Sequence, residues 1–110
     1  MTDLDRRDLV DRLGGDGGLA DELLAIFSEE LPSLVSAVHR AHVAGDGEAL
    51  ARAGHDLKGA AANVGALAVR QLAEGLEELG RDGRVENGSV SLAKLDRAAK
   101  RFQDLVGSNA

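Results

Sequence analysis

Four long stretches of this chain repeat apolar residues every three or four positions, and glycine stands at or near their ends. That period matches the 3.6 residues of a helical turn and not the alternation of a half-buried strand, so the chain is predicted to be all-α. Leu, Val, Ile and Ala carry the pattern. Hydrophobic residues make up 44% of the 110 residues, yet only Phe27 and Phe102 are aromatic. Such a core suits close helix packing better than a β-sandwich, whose strands favour β-branched and aromatic side chains.

A short helix is predicted from Asp3 to Leu13, with Leu4, Leu9, Val10 and Leu13 on one side. The run Gly14-Gly15-Asp16-Gly17-Gly18 interrupts it, because glycine makes helix propagation costly. A long helix follows from Leu19 to about Val43. Its expected stripe is Leu19, Leu23, Ile26 with Phe27, Leu31 or Leu34, and Val38, while Asp21, Glu22, Glu29 and Arg40 lie outside. Pro32 falls inside this helix and lacks an N–H; because the stripe keeps its phase, a kink is expected there and not a junction of two helices.

Gly45-Asp46-Gly47 ends that helix, and Asp46 can cap the next, from about Glu48 to Val64. Leu50, Ala53, Leu57, Ala60 or Ala61, and Val64 form its stripe, with Gly65 as C-terminal cap. The segment from Leu67 to Leu79 repeats Val69, Leu72, Leu76 and Leu79 and is expected to end at Gly80. Arg81 to Gly88 reads as a polar loop. Ser89 then caps a last helix carrying Leu92, Leu95, Ala99, Phe102 and Leu105 or Val106, closed by Gly107. The expectation is one domain over residues 1–110, an antiparallel four-helix bundle with the short N-terminal helix packed on it.

Composition narrows the function classes. Without cysteine there is no disulfide, no thiolate metal site and no sulfur redox chemistry. No stretch approaches the ~18 to 20 apolar residues that span a bilayer, and the N-terminus lacks a signal-peptide pattern, so a cytoplasmic protein is expected. A net charge of −6 opposes non-specific nucleic-acid binding, which needs cations to neutralise phosphates. A partner protein is the better expectation. There is also no phosphate-binding loop of the Gly-x-x-x-x-Gly-Lys-Ser/Thr type, so the chain has no nucleotide site of its own to propose.

The stretch Gly54-His55-Asp56-Leu57-Lys58-Gly59-Ala60-Ala61-Ala62-Asn63-Val64-Gly65 carries the chemistry. At ~100° per residue, Lys58 and Gly59 share the face of His55 one turn along, while Leu57 and Ala61 point to the core. His55 is therefore expected on the solvent side. A neutral imidazole nitrogen can attack a phosphoryl group, and a lysine ammonium on the same face can offset the transferred charge. Gly59 leaves bare helix beside the imidazole at a cost of about 1 kcal/mol relative to Ala, and Arg52 one turn before His55 adds positive charge.

These residues resemble the signature of the histidine-containing phosphotransfer (HPt) family: His, x-Leu-Lys-Gly, a run of small residues, then an apolar residue and Gly. His55, Leu57, Lys58, Gly59, Ala61, Val64 and Gly65 match it. The turn Gly45-Asp46-Gly47 before the helix and Glu30-Leu31-Pro32 in the preceding one extend the similarity over roughly residues 19 to 106. The resemblance implies that His55 accepts a phosphoryl group from a receiver-domain aspartate and passes it to a response-regulator aspartate. Lys58 would steady that group and Gly59 would give access. It further implies a carrier and not an enzyme, with no cofactor of its own, magnesium held by the receiver, and a sensor or hybrid histidine kinase upstream. Gly54 stands where Ala or Ser commonly precedes the His, and Ala60 replaces a frequent Ser; Gly54 is expected to soften the helix.

Arg52, Gly59, Ala62, Gln71, Glu77 and Arg81 are the candidate partner-binding residues. Gln71 or Glu77 is placed to hydrogen-bond the imidazole, and solubility accounts for most of the polar residues around them, Glu74 and Glu78 included. His39 and His42, three apart, lack a third ligand and read as solvated helix residues, so no metal site is expected. Two related readings compete with the carrier: a degenerate bundle that sequesters a receiver without transfer, and the phosphoacceptor domain of a chemotaxis-type kinase. An unrelated helical scaffold is the third. The presence of both His55 and Lys58 weighs against sequestration, and the small chain with no appended kinase domain weighs against the chemotaxis-type reading, while Met1 and the lack of a flanking linker slightly favour a free-standing protein over a domain of a hybrid kinase. A monomer is expected, since one bundle can use all the apolar residues.

Overall fold

The computed structural model describes residues 4–108; Asp3, at the start of the predicted first helix, lies outside them. Five α-helices follow in order: α1 Arg6–Arg12, α2 Gly17–Val43, α3 Gly47–Val64, α4 Leu67–Arg81 and α5 Ser89–Ser108. No strand occurs among the described residues. Helices α2 to α5 form an antiparallel four-helix bundle about 42 Å long, and α1 packs on α2 through buried Leu9 and an Arg6–Asp21 ion pair at 2.8 Å.

Helix starts follow capping chemistry. Asp5, Asp16 and Asp46 each accept a hydrogen bond from a free first-turn amide, of Asp8, Leu19 and Ala49 respectively, at 2.9 to 3.0 Å. The Asp16 cap corrects the expected start of α2, because Gly17 and Gly18 form its first turn and not a loop. Gly65 caps α3 at φ +71°, a left-handed conformation natural to glycine, and the Ala66 amide bonds back to Ala61 at 2.9 Å.

The buried stripe of α2 is Ala20, Leu24, Phe27, Leu31, Val38 and Ala41. Leu19 and Ile26 are exposed and Leu23 is half-buried, so the first half of the stripe is rotated from the expected one. Phe27 selects the phase: it packs edge-to-face on Phe102 of α5, with ring centroids 5.2 Å apart. The helix runs unbroken through Pro32. Pro32 cannot donate to the carbonyl of Ser28, and the Gln103 side chain of α5 donates to that carbonyl instead, at 3.0 Å.

Three further expectations are corrected. Gly80 does not end α4; it lies inside the helix against α3, where an added Cβ would meet the Ala51 nitrogen at 2.5 Å and the Gly47 oxygen at 2.6 Å. Val85–Gly88 is a 3-10 helix whose Val85 is buried, so the segment after α4 closes the core and is not simply a polar loop. Ser89 is helical at φ −58°, ψ −44° and continues from that turn, and Gly107 lies within α5.

Candidate functional site

Helix α3 sets His55, Lys58, Gly59 and Ala62 on one face because they are separated by three, four and seven positions. Leu50, Leu57 and Ala61 turn the opposite side of the helix into the core. The His55 side chain is 67% exposed. Around Gly59 the helix is bare, since a Cβ built there meets nothing within 4 Å.

The centre of the site comes from α4. Glu77 is 2% exposed, the one buried charged residue among those described, and its carboxylate gathers three side chains. Lys58 Nζ donates to Oε1 at 2.7 Å, while His55 Nδ1 at 3.1 Å and Arg81 Nη2 at 2.6 Å share Oε2. The Lys58 hydrogen bond does most to hold the Glu77 carboxyl below its ordinary pKa, against the opposing effect of burial, and His55 and the Arg81 charge add to it. An ionised carboxylate can only accept, so Nδ1 of His55 bears the hydrogen. In the neutral ring this leaves the lone pair on Nε2.

Close helix contact brings Glu77 within reach. A Cβ on Gly54 would meet Glu77 N at 2.8 Å, Ala73 O at 2.9 Å and Glu77 Cα at 3.0 Å. The structural part of Gly54 is thus in packing: without a side chain it lets α3 lie directly on the α4 backbone beside Glu77. Gly47 and Gly80 repeat the approach two turns away.

Arg52 and Arg81 line one open cleft together with Ala51, His55, Asp56 and Glu77. Ala62 is half-buried further along α3. Gln71 is exposed on α4, and the hydrogen bond to the imidazole comes from Glu77 and not from it. Nor is Glu77 a solubility residue. Its sequence signal was the small residues Ala73 and Gly80, four before and three after it, which mark a line of close approach. His39 is also not merely solvated, since it bonds Asp96 of α5 at 2.7 Å, and half-buried His42 lies beside Gly88. Among the described residues no three His, Cys, Asp or Glu side chains are grouped to hold a metal ion.

The sequence profile of the Hpt domain family matches residues 22–106. The chain belongs to the Hpt domain family. Two solved structures agree with that assignment. Histidine-containing phosphotransfer protein B from Pseudomonas aeruginosa PAO1 superposes with a TM-score of 0.86 at 25% identity, covering 96% of this chain and 92% of that one. The Hpt domain of an Hpt sensor hybrid histidine kinase from Shewanella gives 0.83 at 20% identity with the same coverages, a likeness of fold. No functionally curated protein is a significant match. This Hpt domain is thus a phosphotransfer module of two-component systems, and Hpt domains are phosphocarriers without an ATP site of their own. None of its described helices is long and apolar enough to cross a membrane.

Proposed function

We propose that this Hpt domain is a phosphorelay carrier, taking a phosphoryl group onto Nε2 of His55 from a receiver-domain aspartate and passing it to a response-regulator aspartate. The observation that carries the reading is an exposed imidazole whose Nδ1 is held by a buried carboxylate. Such a ring is fixed in one tautomer and orientation, with its nucleophilic nitrogen outward.

In the transfer step the Nε2 lone pair forms the N–P bond as the P–O bond to the partner's aspartate breaks, and the departing carboxylate oxygen keeps the bonding electrons. The ring becomes more positive as it gives up the lone pair, and the Glu77 charge at Nδ1 offsets this. Lys58 supplies positive charge on the same face. The bare helix at Gly59 admits the partner's active-site rim, with Arg52 and Ala62 as flanking contacts. Magnesium and the remaining carboxylates belong to the receiver. A sensor or hybrid histidine kinase stands upstream of that receiver.

The test is transfer from receiver domains of the source organism, charged with a small acyl phosphate, to the wild-type protein and to His55→Gln. Acid-labile, base-stable label on the wild type alone, with unchanged helicity in the variant, is expected. Label that survives His55→Gln would remove His55 from the role. Binding without label would favour a sequestering bundle, and neither binding nor label would refute a receiver partner.

A further inference from the structure

Glu77 holds one more cation than its resting charge requires. Lys58 occupies Oε1, and Arg81 shares Oε2 with the imidazole, so one buried negative charge faces two permanent positive ones. The two cations differ in placement. The Lys58 side chain is 29% exposed and rises from the face of α3 that carries His55; that of Arg81 is 62% exposed and lies one turn from Glu77 on α4 itself.

A phosphoryl group on Nε2 would bring close to two negative charges to the His55 face. It then competes with Glu77 for Lys58. If Lys58 were the only side-chain cation beside the ring, its departure would leave the buried carboxylate with the Nδ1–H of the phosphorylated imidazole as its one charged partner and Oε1 with none, and removing a partner from a buried charge is strongly unfavourable. Lys58 would stay where it is. Arg81 removes that obstacle, because its guanidinium is already bonded to Oε2 at 2.6 Å and does not have to move.

Resting on the carrier reading above, we propose that Arg81 is a positioning residue that frees Lys58: by neutralising buried Glu77, it allows the lysine to leave Oε1 for the phosphoryl oxygens of phosphorylated His55. Arg81 on this account acts through Glu77 and does not touch the phosphoryl group. Once Glu77 carries no charge, Arg81 has nothing to do.

That last statement gives the experiment. Arg81→Ala, Arg81→Lys, Glu77→Gln and the Glu77→Gln/Arg81→Ala double variant are charged from one phosphorylated receiver, and phosphohistidine uptake and decay are followed by phosphorus NMR. The Lys58 ammonium is watched by nitrogen-edited NMR before and after charging. Arg81→Ala is expected to shorten the phosphohistidine lifetime about ten-fold, the equivalent of one charge-assisted contact, with partial rescue by Arg81→Lys. Its Lys58 signal should stay unchanged on charging, whereas that of the wild type moves. In the Glu77→Gln background the same Arg81→Ala change should add nothing. An equal loss in both backgrounds, with label present on the wild type, would show direct contact between Arg81 and the phosphoryl group and overturn the proposal. A wild-type protein that takes no label from any receiver would remove the carrier reading and this inference with it.

Discussion

Two glycines five positions apart on α3 should respond to the same substitution with opposite signs. Replacing a helix-interior glycine by alanine gains about 1 kcal/mol from propensity alone. At Gly59 nothing lies within 4 Å of the new methyl, so Gly59→Ala should deliver that gain and raise the melting temperature by about 4 to 8 °C. At Gly54 the methyl would sit 2.8 to 3.0 Å from three backbone atoms of Ala73 and Glu77, which have no side-chain torsion with which to withdraw. Overpacking costs about 1 to 3 kcal/mol, and contact with a backbone belongs at the upper end, leaving Gly54→Ala about 2 kcal/mol less stable and melting about 10 °C lower. Urea unfolding followed by circular dichroism measures both variants against the wild type. The displaced backbone is that of Glu77, so the His55–Glu77 hydrogen bond should be lost along with the stability. Gly54→Ala stabilised to the same degree as Gly59→Ala would refute the argument that a glycine sets the α3–α4 separation.

Two other expectations concern stability. Gln103→Leu strips the Ser28 carbonyl of its donor and should cost about 1 kcal/mol or more, whereas in a Pro32→Ala background, where the helix supplies its own N–H, the loss should largely vanish; a cycle of urea midpoints with no coupling would contradict the pairing. Glu77 has its pKa lowered from 4.5 in the folded protein, so its ionised form contributes stability above that value, and the contribution is lost as pH falls through the lower folded value. Stability measured across a series of acidic pH values should therefore fall less steeply for Glu77→Gln than for the wild type, and an equally steep fall would exclude Glu77 as a source of the acid sensitivity.

What could be read from the sequence follows the range of the interactions. His55, Lys58 and Gly59 lie on one helix, so 3.6-residue geometry places them together without knowledge of any neighbour. The caps at Asp46 and Gly65 are equally local. The phase of α2 was less accessible, because apolar side chains occupy both Leu23 and Leu24 and both Ile26 and Phe27, and the choice rests with Phe102, 75 positions after Phe27. Glu77 was hardest. The sequence offered it, with Gln71, as a hydrogen-bond partner of the imidazole and also as a contact for a partner protein, but its burial, which leaves no surface for such a contact, comes with the close approach that the missing side chain of Gly54 allows on another helix. Gly80 misled for the same reason, since an end-of-helix glycine and an interhelical-contact glycine look alike until the facing backbone is known.

The α3–α4 seam is built from atoms that are absent, and this shapes how such a site can diverge. A packed core of large side chains can be retuned one methylene at a time, but a contact between bare backbones offers no comparable gradation: at Gly54 and Gly80 even the smallest side chain is an abrupt change. Arg52 and Gln71 stand in solvent outside that seam and have no such restriction. Mutational drift is thus steered away from the spacing that joins His55 to Glu77 and toward the exposed residues around it, so the reactive centre can stay fixed while the surface beside it changes charge and shape.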